Sequence, residues 1–258
     1  MPGPQIAAPN TQSLQITLLA NDKELSSATG FLVSHEGELY LVTNWHVLSG
    51  RHAETQAILS ATGATPDAVR IRHTTDDLSV RVDRVEPLRD SDGNALWLEL
   101  PLIQERRTDV AALRLTQFDG VRPYLYDVEN VNKSIHVPIA ERLSVIGFPF
   151  GITAGQGLPI WTQAFVATEP ELAFDSAACF LVDSRTRTGQ SGSPVIYYSE
   201  SGMFSSSAGG LVIGGSGINI RFMGIYSGRI NPESDLGRVW FPWAIAAVLK
   251  GGQPSQSL

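Results

Sequence analysis

The stretch Gly189-Gln190-Ser191-Gly192-Ser193-Pro194 is the part of this chain best suited to chemistry. A serine between glycines can sit on a tight turn, its hydroxyl free and the neighbouring backbone N–H groups aimed at whatever lies above it. The hydroxyl is a weak nucleophile at neutral pH unless a base takes its proton during attack. Imidazole, which titrates near that pH, is the natural base. Of the five histidines, His46 has the best setting. It follows the buried-looking run Leu39-Tyr40-Leu41-Val42 and precedes Val47-Leu48, which puts it at a strand end facing a cleft. His35, His52, His73 and His136 lie among polar or turn-forming residues and read as surface groups. Asp109 stands just before the apolar run Val110-Ala111-Ala112-Leu113, as an acid drawn into a dry interior would. Such an acid needs a partner. On these residues alone a plain structural reading stays open for each: a Gly/Ser loop, a core histidine, an acid capping a turn.

Short strands must position these groups. Apolar and polar residues alternate in Leu14-Gln15-Ile16-Thr17-Leu18, in Leu39 to Val42, in Val69-Arg70-Ile71-Arg72 and in Val80-Arg81-Val82-Asp83-Arg84-Val85. Period-2 runs separated by turn residues predict many short antiparallel strands, hence an all-β barrel or sandwich. One helix is expected, Pro242-Trp243-Ala244-Ile245-Ala246-Ala247-Val248-Leu249-Lys250, with Pro in its first turn and Gly251 just past its end. Residues 1–11 read as a flexible tail, and fading periodicity over 117–141 reads as a linker. Residues 199–217, rich in Ser and Gly, read as a long loop between strands at 195–198 and 221–226.

Bulk properties exclude several classes. With 43% hydrophobic and 17% charged residues the chain is a folded protein. A net charge of -7 argues against nucleic-acid and anionic-membrane partners, which require a basic face. Arg106-Arg107 reads as solvated surface charge. The single cysteine, Cys179, cannot form an intramolecular disulfide and sits in the apolar run Ala177-Ala178-Cys179-Phe180-Leu181-Val182, as a core residue would. The N-terminus has neither the basic start nor the apolar core of a signal peptide, so a cytoplasmic location is expected. No metal-ligand spacing occurs, and neither a metal nor a cofactor is implied.

Taken together, the segments resemble the trypsin-like serine proteases, and among these the protease domain of Deg/HtrA-type enzymes. Four stretches carry the resemblance. They are Thr29-Gly30-Phe31-Leu32-Val33 with Tyr40-Leu41-Val42-Thr43-Asn44-Trp45-His46-Val47, Asp109-Val110-Ala111-Ala112-Leu113, Val145-Ile146-Gly147-Phe148-Pro149-Phe150-Gly151, and the run from Asp183 to Pro194. The third looks like that family's glycine–proline turn entering its second barrel.

The resemblance implies two packed antiparallel β-barrels with a short C-terminal helix. The first barrel would span 12–116 and carry His46 and Asp109; the second would span 142–258 and carry Ser191. It implies a serine endopeptidase acting on protein or peptide substrates, with catalytic His46, Asp109 and Ser191 and an oxyanion hole from the backbone N–H groups of Gly189 and Ser191. With nine residues left after Leu249, the PDZ domain of many Deg-type enzymes is not expected.

The chain departs from the family in two places. Trypsin-type zymogens carry an aspartate before the serine, where this chain has Gln190, so activation through a freed N-terminus is not available. Synthesis in an active form, or loop rearrangement by an activating partner, is expected instead. Ser193 replaces the family's second glycine, which it can do if the backbone there is ordinary.

By position, the substrate pocket would be lined by Arg185, Thr186 and Thr188 on one side and Ser227, Gly228 and Arg229 on the other. Arg185 stands where trypsin has its aspartate, so cleavage after Lys or Arg is not expected. An arginine pointing inward would favour an acidic substrate residue; two pointing outward would favour a small aliphatic one, the reading we adopt. A catalytically silent protease-fold scaffold is the alternative. An α/β-hydrolase esterase would need the order Ser, Asp, His and a helix after the serine, and neither is present.

Overall fold

The alternating runs become strands; Ser13–Ala20 and Ala68–Thr74 turn their apolar side inward, whereas the run at 80–85 leaves Val80 and Val85 exposed. The computed structural model describes residues 6–102, 107–213, 217–231 and 233–255. The first half contributes β1 (Ser13–Ala20), β2 (Lys23–His35), β3 (Glu38–Thr43), β4 (Ala68–Thr74), β5 (Arg81–Pro87), β6 (Trp97–Glu99) and β7 (Ala111–Arg114). The second half contributes β8 (Arg142–Gly147), β9 (Ile160–Val166), β10 (Cys179–Asp183) and β11 (Pro194–Ser199). A small hairpin of β12 (Met203–Ser205) and β13 (Leu211–Ile213) follows, then β14 (Asn219–Arg229), β15 (Leu236–Trp240) and the two-residue β16 (Gln253–Pro254).

Two antiparallel sheets result. The first is eight-stranded in the order β16-β6-β7-β3-β2-β1-β4-β5, and its backbone ladder stays open. The second closes into a barrel, β10-β15-β14-β11-β8-β9. The first sheet packs its interior around Leu14, Ile16, Leu18, Trp45, Ile71 and Trp97. The barrel fills with Val145, Phe180, Val195, Tyr226 and Val239. A third cluster joins the two, with Phe31, Val42 and Val110 meeting Ile146, Ile196, Phe222 and Ile225. Phe31 meets Phe222 edge-on, ring centroids 5.6 Å apart. Each such fully buried side chain stabilises the fold by about 1.5–3 kcal/mol. Apolar contact between the sheets, with no disulfide, thus sets the cleft they share.

The expected helix is α3 (Pro242–Gly251), which follows the short α1 (Pro9–Gln12) and α2 (Trp45–Ser49). Its Ile245, Val248 and Leu249 belong to the joining cluster, which ties the C-terminus across both halves. Gly251 lies inside its last turn, and Gly252 follows as the cap.

Several expectations are corrected. The N-terminal segment is not loose through residue 11: α1 is pinned where the Trp161 indole N–H donates to Asn10 Oδ1 (2.5 Å), while Met1 and its neighbours up to Gln5 lie outside the described residues. The Ser/Gly-rich stretch 199–217 holds the β12–β13 hairpin, although 214–216 lie outside the described residues. Arg107 is no surface charge. It lies over the Trp45 ring at 4.0 Å and pairs with Glu99. Arg106 lies outside the described residues.

His73 is the fourth correction. Its neighbours in sequence are polar, but β4 turns it inward and leaves it 1% exposed, with neither ring nitrogen hydrogen-bonded. Burial, helped by the nearby Arg84 charge and opposed by Asp83, lowers its pKa to about 4. The unfolded chain therefore binds a proton at this site before the folded one does, so stability is full above the ordinary histidine value and falls as pH drops from about 6.5 toward 4. The loss should be on the order of 3 kcal/mol. Urea unfolding at pH 7 and pH 4.5 checks this: His73→Leu should show a clearly smaller pH-dependent loss than the unaltered protein.

Candidate functional site

His46 is held by a helix start, not by the strand end itself. β3 ends at Thr43, Asn44 caps α2 in the extended region, and His46 falls in the first turn. Asn44 Nδ2 donates to the backbone oxygen of Asp109 (2.8 Å), which brings the entry to β7 against α2. The Asp109 carboxylate is buried and uses both oxygens on one residue. Oδ1 accepts the His46 backbone N–H at 2.9 Å, and Oδ2 lies 2.7 Å from His46 Nδ1. An ionised carboxylate can only accept, so Nδ1 carries the proton and Nε2 presents its lone pair.

Ser191 lies in the turn between β10 and β11 and lines the same cleft as His46, a space of about 670 Å3. Among the described residues its hydroxyl is bound to no other group. Unbound sites often hold such pairs loosely until substrate closes them. The turn itself is tightly held. Gln190 is fully buried: its Oε1 accepts the Arg187 N–H (2.7 Å) and its Nε2 donates to Thr162 Oγ1 (2.7 Å). A neutral amide thus anchors the loop at the residue before the serine. Gly189 and Gly192 have φ of +94° and +85°, and a Cβ would run into Phe148 O at the first and Thr29 O at the second. Ser193 is not among the residues with positive φ, so its backbone meets the condition for a serine in the place of the family's second glycine.

The peptide between Thr188 and Gly189 has a defined direction. The Phe150 N–H donates to Thr188 O at 2.6 Å. In a trans peptide the C=O and N–H point opposite ways, so the Gly189 N–H is turned away from Phe150. Neither it nor the Ser191 N–H has a backbone acceptor among the described residues. Phe150 can reach Thr188 because it adopts φ +55° beside Gly151, in the turn that ends β8. That turn had been expected at the entry to the second barrel; it lies one strand later and buttresses the nucleophile loop.

Thr29 escaped the sequence reading as a site residue, although it was quoted for the resemblance. Thr29, fully buried on β2, donates its N–H to Ser191 O (2.9 Å) and its hydroxyl to Gly189 O (2.8 Å). The same hydroxyl accepts the Phe148 N–H (3.1 Å), and Thr29 O accepts the Thr43 hydroxyl (2.8 Å). A threonine in an apolar strand gives no signal of this in sequence.

The model of the trypsin-like peptidase domain matches residues 28–202, more than half of the chain and all of the geometry above. The chain belongs to the trypsin-like peptidases. No curated protein matches its sequence. Among solved structures, the active form of the Rv3671c protease from M. tuberculosis is similar in fold (TM-score 0.50, 16% identity, 97% of this chain and 85% of that one). A serine endoprotease from Yersinia pestis has TM-score 0.49 and 14% identity, over 92% of this chain and 61% of its own. This peptidase is therefore a serine hydrolase of the trypsin-like fold.

The peptidase's cleft tests the positional pocket residues one by one. Thr186, Thr188, Gly228 and Arg229 line it. Arg185 does not; it is 85% exposed and turned to Asp235 at 3.8 Å. Ser227 is also not in the lining, because its Oγ accepts the Trp240 indole N–H (2.9 Å). Arg229 stands exposed at the mouth. Tyr226, not anticipated, lines the cleft and is buried, which raises its pKa against a weaker opposing hydrogen bond from Thr186. Among the described residues no cluster of side chains suits a metal ion.

Thr29→Val should remove the hydroxyl bridge and leave Gly189 O and Phe148 N unpaired in the interior. The expected loss is about 1–3 kcal/mol of stability and about a hundredfold in kcat/KM through the displaced Gly189 peptide. Thr29→Ser, which keeps the bridge, should lose little of either. Denaturant unfolding and peptide hydrolysis on the three proteins check this.

Proposed function

We propose that the protein is a serine endopeptidase working through an acyl-enzyme on Ser191, with His46 as base, Asp109 as its orienting partner, and the Gly189 and Ser191 N–H groups as the oxyanion hole. The observation that carries this reading is the two-point clamp of Asp109 on His46, through Nδ1 (2.7 Å) and the backbone N–H (2.9 Å). It fixes the tautomer in which Nε2 faces the cleft shared with Ser191.

Ser191 Oγ attacks the carbonyl carbon of the scissile peptide as its proton passes to His46 Nε2. The carbonyl π pair moves onto oxygen, where the Gly189 and Ser191 N–H groups meet the charge. The pair returns as the C–N bond breaks, and the imidazolium gives its proton to the departing amine. Water, deprotonated by the same nitrogen, then releases the acid. Stabilising the oxyanion is the larger contribution, since each donor is worth about a hundredfold to a thousandfold.

The resting protein needs no cut to work. Gln190, buried between Arg187 and Thr162, supports the nucleophile loop that an ion pair with a new N-terminus would otherwise support. The absence of any need for disulfides, with Cys179 fully buried, accords with work in the cytoplasm. Among the described residues no helix is long and apolar enough to cross a membrane.

A fluorophosphonate probe should label the native chain at Ser191 and leave Ser191→Ala unlabelled, with thermal unfolding of the two nearly equal. His46→Ala should lower peptide hydrolysis by more than about ten thousandfold. Labelling of Ser191→Ala, or turnover by His46→Ala near the native rate, would remove the assignment. An unlabelled native chain would favour a silent scaffold.

A further inference from the structure

Beside Ser191 the cleft runs between two walls, residues 186–189 and residues 226–229. Tyr226 is tied by its backbone to the nucleophile turn: the Gly192 N–H donates to Tyr226 O and the Tyr226 N–H donates to Ser193 O, both at 2.9 Å. Its side chain therefore starts next to the place where an acyl group would sit. β14 and β15 lose register between Tyr226 and Arg229, so the ladder parts there and makes room for a ring between the walls.

The phenol occupies that room. It is 1% exposed, belongs to the barrel's own core, and ends in a hydrogen bond with Thr186 Oγ1 on the opposite wall. Its outer edge lies on Gly237, where any Cβ would overlap the ring. The ring is thus hemmed by backbone on one side and hydrogen-bonded at its tip, and it cannot swing aside without leaving buried hydroxyls unpaired. Arg185 points to solvent, Arg229 stands at the mouth, and Arg187, which also lines the cleft, turns its guanidinium back onto the carbonyls of Arg185 and Thr186, so the phenol is what fills the room between the walls.

We infer that Tyr226 determines specificity by closing the bottom of the pocket beside Ser191, so that the enzyme cleaves after glycine, alanine or serine and rejects aromatic, long aliphatic and acidic residues. This rests on the proposed peptidase reading and adds a substrate class to it. A side chain reaching past Cβ has to displace a packed, hydrogen-bonded ring, and a single misplaced methylene in such a pocket already costs about tenfold or more in rate.

The test is a peptide series varied only at the residue before the scissile bond, with fluorophosphonate labelling run in parallel. The unaltered chain should show kcat/KM for Ala at least about tenfold above Leu, Phe and Glu. Tyr226→Ala should raise Leu or Phe over Ala by about tenfold or more, and Tyr226→Phe, which keeps the ring, should retain the native order. Labelling together with a native preference for Leu, Phe or Glu overturns the inference, as does a folded Tyr226→Ala that keeps the small-residue preference. If Tyr226→Ala does not fold, the native profile alone decides between these outcomes. Failure to label the native chain counts instead against the peptidase reading, so the two can fail separately.

Discussion

The structure depends on one buried threonine more than on any other side chain. Thr29 is part of the first sheet, yet its N–H and hydroxyl hold the carbonyls of Ser191 and Gly189, which belong to the second. Apolar packing alone would place His46 and Ser191 only loosely relative to each other. Apolar contact has no direction, whereas hydrogen bonds of 2.8 and 2.9 Å between fully buried atoms do. The joining core around Phe31, Ile146 and Phe222 brings the halves together, and Thr29 sets the register.

The same economy governs the nucleophile loop. Its strained backbone is matched by neighbours that hold it, although the buried Ser193 hydroxyl takes no partner among the described residues. The positive φ of Gly189 is maintained by Phe150 on the carbonyl before it and by Thr29 on the carbonyl after it. Buried Gln190 occupies both ends of its amide. The Gly189 and Ser191 N–H groups have no backbone acceptor among the described residues, while the carbonyls of Thr188, Gly189 and Ser191 are engaged. On the other side of the cleft, Asn44 and the backbone of α2 hold Asp109, and Arg107 over Trp45 packs the base of the same helix.

Tyr226 shows how one core residue can serve both stability and selection. Its ring completes the barrel interior, and the same ring bounds the space beside Ser191. Selectivity built from core packing is stiff, because the ring gives way only if the barrel does.

Much of this was legible in the sequence. Period-2 runs became β1, β3, β4 and β5, and in β1 and β4 the alternation also reported the buried face, while β5 leaves Val85 exposed. Pro242 marked the first turn of α3, because proline's fixed φ suits that position. His46, Asp109 and Ser191 were proposed from residue type and flanking pattern together with the family resemblance, and the family itself is shown by the match over residues 28–202. Other features were decided only in three dimensions. His73 and Arg107 sit among polar neighbours, yet β4 turns the first inward and the second packs over Trp45 and pairs with Glu99. Arg185 and Ser227 hold the right positions in sequence for a pocket, but Asp235 and Trp240 draw their side chains elsewhere. The roles of Thr29 and Tyr226 depend on partners more than a hundred and about forty residues away. Local pattern reports a residue's own strand and face; which distant group will meet it there is settled by the packing of the two sheets.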